Sequence, residues 1–367
     1  MSNFTESLKS IKNGGGKVMG CYPLYPPLEL LHSMGFNPVI MWGLRENIAS
    51  LTESDKHLQV YACSVARYMI EFIQSNSSLL DGIVSYNACD TLRNMPEIVK
   101  CMLDDHGKSI PSFNFHVPAV SFEQSPQAKN YIELQLNKFI SSIENRYQIK
   151  FSGDKFAESI ELYRTMRNLC IEAEALASKG IIPFHIFCES AEEGNFIPVE
   201  NHIEKLKSLL SSYSPDSKNM KSKKIILSGI LNPPTGIAKL FEECGLTVAG
   251  NDIAMLKRSY AFTPETTNDP IEYYCRFYQE HFPCTTILFS SDRRIDELKR
   301  LIETSGAEGF VFVGEKFCEY EYFEMPFIEK KLKEWGIPAL FIEISTEDRD
   351  NVAQYKTRIE AFSEILS

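Results

Sequence analysis

Three of the ten cysteines stand where a thiol can do chemistry. Cys63 opens an amphipathic helix, in Tyr61-Ala62-Cys63-Ser64-Val65-Ala66-Arg67-Tyr68-Met69. Cys89 follows a short apolar run, in Asp81-Gly82-Ile83-Val84-Ser85-Tyr86-Asn87-Ala88-Cys89-Asp90. Cys318 follows another, in Glu308-Gly309-Phe310-Val311-Phe312-Val313-Gly314-Glu315-Lys316-Phe317-Cys318. The last two share a layout: an acid and a glycine, a strand of the buried type, then a thiol just past the strand's carboxyl end. Open α/β sheets bind their ligands at that end. Three thiolates converging there have the chemistry to hold an iron–sulfur cluster and leave one iron free. The helix start at Cys63 favours its thiolate through exposed amides and the helix dipole. The competing reading is three unrelated buried thiols, and the residues by themselves favour it, because metal ligands this far apart in sequence seldom announce themselves.

The remaining candidates carry weaker signals. No CxxC pair is present, so zinc-ribbon, thioredoxin and ferredoxin spacings are absent. Cys170, Cys188, Cys244 and Cys275 read as small buried hydrophobes, and Cys101 as packing. Cys21, which follows a strand, and Cys284 are expected to line a cleft rather than to ligate. Asn87 and Asp90 flank Cys89, with roles against cluster sulfur or as helix caps; capping suits Asp90 better. Glu315 and Lys316 beside Cys318 either face the same surroundings or are solvated. Arg258, expected with Asn87 to line the same cleft as Cys21 and Cys284, is placed to meet a phosphate or carboxylate, or to form an ordinary salt bridge. His32 and His116 are read as structural. The run Asn13-Gly14-Gly15-Gly16-Lys17 precedes the first strand and lacks the GxxxxGK[ST] arrangement, so it is not a phosphate loop.

Positioning these groups calls for strands that alternate with helices. At 367 residues the chain suggests two α/β domains rather than one core. Residues 1–125 read as an N-terminal α/β domain carrying Cys63 and Cys89. Its strands are expected at Lys17 to Gly20, Pro38 to Trp42, 82–86 and Ser112 to His116, with helices over Leu28 to Met34, from Ser64, and after Asp90. Residues 126–222 read as a helical connector, with helices over Tyr131 to Tyr147 and Ala157 to Lys179 and a serine-rich loop over Ser208 to Ser217. Residues 223–367 restart the alternation as a C-terminal α/β domain carrying Cys318. Strands are expected there at Lys224 to Ser228, Leu246 to Ala249, 309–313 and Ile337 to Ile344, with a last helix over Asn351 to Leu366. The fold expected is two doubly wound parallel-sheet domains, Rossmann- or flavodoxin-like, joined by a helical segment.

Bulk properties narrow the setting. A net charge of −11 argues against nucleic acid or an anionic membrane surface as the main partner. No apolar run is long enough to span a bilayer, and Met1 to Gly20 lacks the apolar core of a signal peptide. A cytoplasmic setting, in which thiols stay reduced, is expected.

Five stretches together resemble the family shared by the 2-hydroxyacyl-CoA dehydratases and class I benzoyl-CoA reductases, and within it the smaller dehydratase subunit. They are Tyr22-Pro23-Leu24-Tyr25-Pro26-Pro27-Leu28-Glu29-Leu30-Leu31-His32-Ser33-Met34-Gly35, Ala62-Cys63-Ser64-Val65, Cys89-Asp90-Thr91-Leu92, Ser228-Gly229-Ile230-Leu231, and Lys316-Phe317-Cys318 with its continuation through Pro326. The resemblance implies a [4Fe-4S] cluster on Cys63, Cys89 and Cys318 between two α/β domains. It also implies a homologous larger subunit and an ATP-dependent iron–sulfur activator that feeds in single low-potential electrons. In the dehydratases such an electron forms a ketyl radical at the thioester of a (R)-2-hydroxyacyl-CoA and so permits loss of water. The family also contains ring reducers and homodimers with a bridged double-cubane cluster, and both stand as alternatives. A cluster-free bilobal protein that closes on a small ligand is the alternative of another class. One departure stands out: Gly250-Asn251-Asp252 through Arg258 keeps the aspartate and arginine of the family pattern but not the two acids before them.

Overall fold

The computed structural model describes residues 3–121, 125–213, 222–287, 291–344 and 352–366, and only the backbone of 45, 46, 291 and 292. Its strands form two parallel four-stranded sheets. In the first, β1 (Lys17–Cys21), β2 (Phe36–Ile40), β3 (Gly82–Tyr86) and β4 (Ser112–Phe115) run in the order β2-β1-β3-β4. In the second, β5 (Lys223–Gly229), β6 (Leu246–Ile253), β7 (Gly309–Glu315) and β8 (Ala339–Ile344) run in the order β6-β5-β7-β8. The wiring is the same twice over. Every residue of β3 and of β7 is buried, as strands covered by helices on both faces require.

The repetition extends to how each unit opens. After β1, Pro26-Pro27 leads into the helix Leu28–Ser33, and Gly35 turns the chain at φ 85° into β2. After β5, Pro233-Pro234 leads into the helix Thr235–Glu243, and Gly245 turns it at φ 73° into β6. Proline starts and left-handed glycine stops bound a helix from both ends. In both sheets the strand order reverses beside the first strand, which opens a crevice at the carboxyl ends for ligands. Cys89 stands three residues past the end of β3, and Cys318 three past the end of β7.

Between the sheets in sequence come the helices Pro126–Tyr147, Gly153–Ala177, Phe184–Glu193 and Val199–Ser212. The long helix Gly153–Ala177 packs on Leu28–Ser33 and also on β6 and the short helix Lys257–Tyr260, so it braces both sheets. One buried node ties it in. Arg167 Nη2 donates to Glu29 Oε1 at 2.5 Å, while Tyr273 and Tyr274 each donate a phenol to the same carboxylate at 2.9 Å. Burial works to raise Glu29, but Arg167 and Tyr273 outweigh it and hold the carboxyl below its ordinary range.

Several expectations are corrected. Helices Phe4–Asn13, Phe184–Glu193 and Val199–Ser212 were not expected. The last of these occupies the start of the expected Ser208–Ser217 loop, whose residues 214–217 lie outside those described. Strand β2 begins and ends two residues earlier than expected, because Met41 and Trp42 continue the apolar run as a buried segment beyond the strand. Strand β6 extends to Ile253 and therefore contains Asn251 and Asp252. The last helix is Val352–Ile365; Asn351 lies outside the described residues. Cys101 is exposed rather than packed.

Two buried histidines predict an acid limit. Burial lowers His202 to about 4 and His281 to about 3. Both folded values lie below the unfolded value, so the stability they contribute is complete above about pH 6.5 and is lost as pH falls toward 4. The urea midpoint is expected to drop across that window. A His202→Gln variant is expected to show a shallower drop; an unchanged pH profile contradicts the assignment.

Candidate metal centre

Each of the three singled-out cysteines is the residue that precedes the first turn of a helix. Cys63 caps Ser64–Asn76, Cys89 caps Asp90–Asp105, and Cys318 caps Glu319–Glu334. The Cys89 sulfur accepts the backbone N–H of Leu92 at 3.4 Å. Cap positions leave backbone N–H groups without helical partners, and these are natural donors to a sulfur anion. Phe317, just before Cys318, holds the left-handed φ of 67°, and this tight turn delivers the thiol from the end of β7.

The two sheets meet at this point. Ser64 N donates to Glu315 Oε1 at 3.2 Å, which joins the helix after Cys63 to the last residue of β7. Glu315 N donates in turn to Glu321 Oε2 at 2.8 Å, and Glu321 N donates to Cys318 O at 3.1 Å. Cys63 and Cys89 each add to the rise of Cys318, and Cys89 to that of Cys63, so the three thiols lie within electrostatic reach of one another. Among the described residues no three His, Cys, Asp or Glu side chains gather tightly enough for a single ion. A cubane asks less, since each iron takes its own thiolate and neighbouring sulfurs stand roughly 6–7 Å apart.

Helix ends do not lower these thiols as the sequence suggested. Burial pushes Cys63 up to about 12, with Cys89 and Glu315 adding to the rise against the N–H of Ala66. Burial raises Cys89 against the N–H groups of Leu92 and Thr91. It raises Cys318 well above the ordinary range, with Glu321 and the other two thiols adding. Desolvation beats the dipole here, and a metal that binds these groups must displace their protons. The donor set fits an iron–sulfur group: three soft ligands, backbone N–H groups around them, and half-buried placement at a junction.

The other candidates fall into three groups. Asn87 exchanges two hydrogen bonds of 2.9 Å with the backbone of Val117, so its amide braces the loop after β4. Asp90 is not the cap; it is exposed and pairs with Arg93 at 2.9 Å. Cys21 is fully buried at the end of β1, and His32 is held by Ser159 and Glu200. Lys316 lies over the Phe317 ring at 5.2 Å.

Arg258 and Cys284 belong to one buried polar group that the sequence did not reveal as such. Arg258 Nη1 donates to the Cys284 sulfur at 3.4 Å, and Thr286 Oγ1 lies 3.2 Å from the same atom. Burial alone would raise Cys284, but Arg258 outweighs it and holds the thiol below its ordinary value. Arg258 Nη2 also stands 3.2 Å from Asp252 Oδ2, which accepts Arg294 Nε at 2.9 Å. Arg294, missed in the sequence, sits in a polar helix with no pattern to mark it. The departure at Asn251 has a local cause. Its amide donates to the buried Glu174 Oε1 at 2.9 Å, where an acid would face a second carboxylate.

A narrow cleft adjoins the first turn after Cys63, lined by Trp42, Val65, Tyr68, Glu189, Glu192 and Asn232 among others. Among the described residues, two carboxylates and no Lys, Arg or His face it, a poor lining for a phosphorylated carrier.

The chain is similar to known proteins along nearly its whole length. The family described as 2-hydroxyglutaryl-CoA dehydratase, D-component, matches residues 23–366. The beta subunit of (R)-phenyllactyl-CoA dehydratase from Clostridium sporogenes is 27% identical, over 98% of this chain and 94% of its own. The beta subunit of (R)-2-hydroxyglutaryl-CoA dehydratase from Acidaminococcus fermentans is 26% identical, over 98% and 95%. A subunit of the benzoyl-CoA reductase from Thauera aromatica is 25% identical, over 88% and 84%. Among the described residues no helix is long and apolar enough to cross a membrane.

Proposed function

The chain belongs to the 2-hydroxyglutaryl-CoA dehydratase D-component family, and from that premise we propose that it is the iron–sulfur subunit of an acyl-CoA dehydratase. Cys63, Cys89 and Cys318 hold a [4Fe-4S] cluster through one thiolate each. What supports this reading is that Cys63, Cys89 and Cys318 each cap a helix and lie within electrostatic reach of one another, with Glu315 of the second sheet bonded to Ser64 beside Cys63. When bound, such a cluster supplies single electrons at low potential. The protein's own part is to hold the thiolates, surround them with N–H groups and keep bulk water at the rim. Electrons come from an ATP-dependent activator, and a homologous larger subunit holds the (R)-2-hydroxyacyl-CoA. The cleft beside Cys63 supports this division, because among the described residues its charged lining is two carboxylates, a poor match for a CoA phosphate. Likeness to part of a benzoyl-CoA reductase favours a second reading, ring reduction by the same electron-relay design.

The test is anaerobic purification followed by iron and sulfide analysis and an acyl-CoA turnover assay. About four irons per chain are expected, with no turnover until a homologous subunit, activator, ATP and reductant are all added. Turnover by the chain alone without ATP contradicts the relay. ATP-driven turnover by a homodimer points to the double-cubane alternative, and an iron-free chain that binds a small ligand points to the bilobal binder.

A further inference from the structure

We propose that Arg294, backed by Arg258, is a positioning residue that fixes the electrostatic potential on the Cys318 side of the thiol set and raises the reduction potential of the cluster held there. This rests on the iron–sulfur reading above. Arg294 is wedged into the carboxyl end of the second sheet. Its Nε donates to Asp252 Oδ2 at 2.9 Å and its Nη2 to Ser228 Oγ at 3.0 Å, while Nη1 pairs with Glu324. The next residue of β5, Gly229, packs against Glu321: a methyl group at Gly229 would stand 3.6 Å from Glu321 Oε1. Glu321 is in turn bonded through its N–H to the carbonyl of Cys318. Consecutive residues of one strand thus link the guanidinium to the turn that presents the thiol.

Burial gives the charge its reach. Arg294 is 2% exposed and Arg258 1%, and the two share one equally buried carboxylate, Asp252. The two cations face two carboxylates, but only Asp252 is as buried as they are; Glu324 is 21% exposed and better screened by water, so the buried part of the group is weighted toward positive charge. The hydrogen bonding is also incomplete: Asp252 Oδ1, Arg258 Nε and Glu321 Oε1 have no partner among the described residues. A salt bridge selected only to stabilise a fold would satisfy such atoms, so their retention calls for another role. Reduction of a cluster adds one negative charge, and a nearby buried cation stabilises that state more than the oxidised one. Arg93 is the built-in contrast. It lies one turn from Cys89, but its side chain is 59% exposed and paired with Asp90, so water and salt screen it.

The experiment is a redox titration of the anaerobically purified full chain, with titanium(III) citrate as reductant and the electron paramagnetic resonance of the reduced cluster as readout. Arg294→Met is expected to move the midpoint to a more negative potential at unchanged iron content. Arg294→Lys is expected to restore most of it, and Arg93→Met to leave it in place. Glu324→Gln, at the partly exposed rim, removes a negative partner and is expected to move the midpoint the opposite way. This variant keeps the inference open to refutation should Arg294→Met fail to fold. Unmoved midpoints in both Arg294→Met and Glu324→Gln, or in the second when the first does not fold, overturn the inference while leaving the iron–sulfur reading intact. A wild-type chain that takes up no iron overturns both.

Discussion

Cys63→Ala, Cys89→Ala and Cys318→Ala are each expected to reduce iron in the anaerobically purified chain from about four atoms to a small residue, with loss of the brown absorption. Cys170→Ala and Cys244→Ala are expected to leave it unchanged. The effect is near total because a three-thiolate set has no spare: each ligand carries one corner, and among the described residues no fourth thiol shares the neighbourhood charges. Simple unfolding does not account for it. Losing the Cys89 sulfur as acceptor for Leu92 N costs about 1 kcal/mol, as is typical of other caps. The controls separate position from chemistry, since Cys170 lies buried in the bracing helix and Cys244 ends the helix Thr235–Glu243. Equal iron in all five variants, or equal loss, would sink the ligand assignment.

Arg167→Met is expected to be the most destabilising single change away from the thiols, by about 3–5 kcal/mol. It strands Glu29, 1% exposed, with two phenols and no cation. Arg167 itself is 3% exposed, so water cannot replace it without opening the packing of Gly153–Ala177 on Leu28–Ser33. The measurement is the urea midpoint at constant slope. Adding Glu29→Gln to the variant removes the uncompensated charge and is expected to recover part of the loss. A single variant within about 1 kcal/mol of wild type would show that the node is dispensable.

How much of this was legible in the sequence depends on whether the signal was local. Buried parallel strands announce themselves as short apolar runs between turn residues, so β3 and β7 were read to within two residues at either end. The proline-opened, glycine-closed helices were equally plain, for proline and glycine act within one turn. Helix Val199–Ser212 was missed because Ser208, Ser211 and Ser212 look like loop, whereas Ile203 and Leu206 anchor it by tertiary packing. The three thiols were singled out by strand ends, a helix start and family resemblance; the contact of Ser64 with Glu315 that brings their two sheets together is a tertiary property. Arg294 was invisible because its partners, Asp252, Ser228 and Glu324, come from three other segments. Thiol acidity was misjudged for a related reason: the helix dipole is readable from one segment, whereas desolvation comes from all of them.

The split of the thiols between two sheets also sets a clock. Cys89, the later of the first two, leaves the ribosome about 230 residues before Cys318, a lead of roughly 11–46 s at ordinary rates of synthesis. During that interval the first sheet has every strand it needs, and two cysteines wait at its carboxyl edge for a third that does not yet exist. Glu315, which bonds Ser64 across the junction, is also still to come. On the proposed reading, metal loading follows the joining of β7 to its sheet, and a chain interrupted upstream of that strand lacks one of the three proposed ligands.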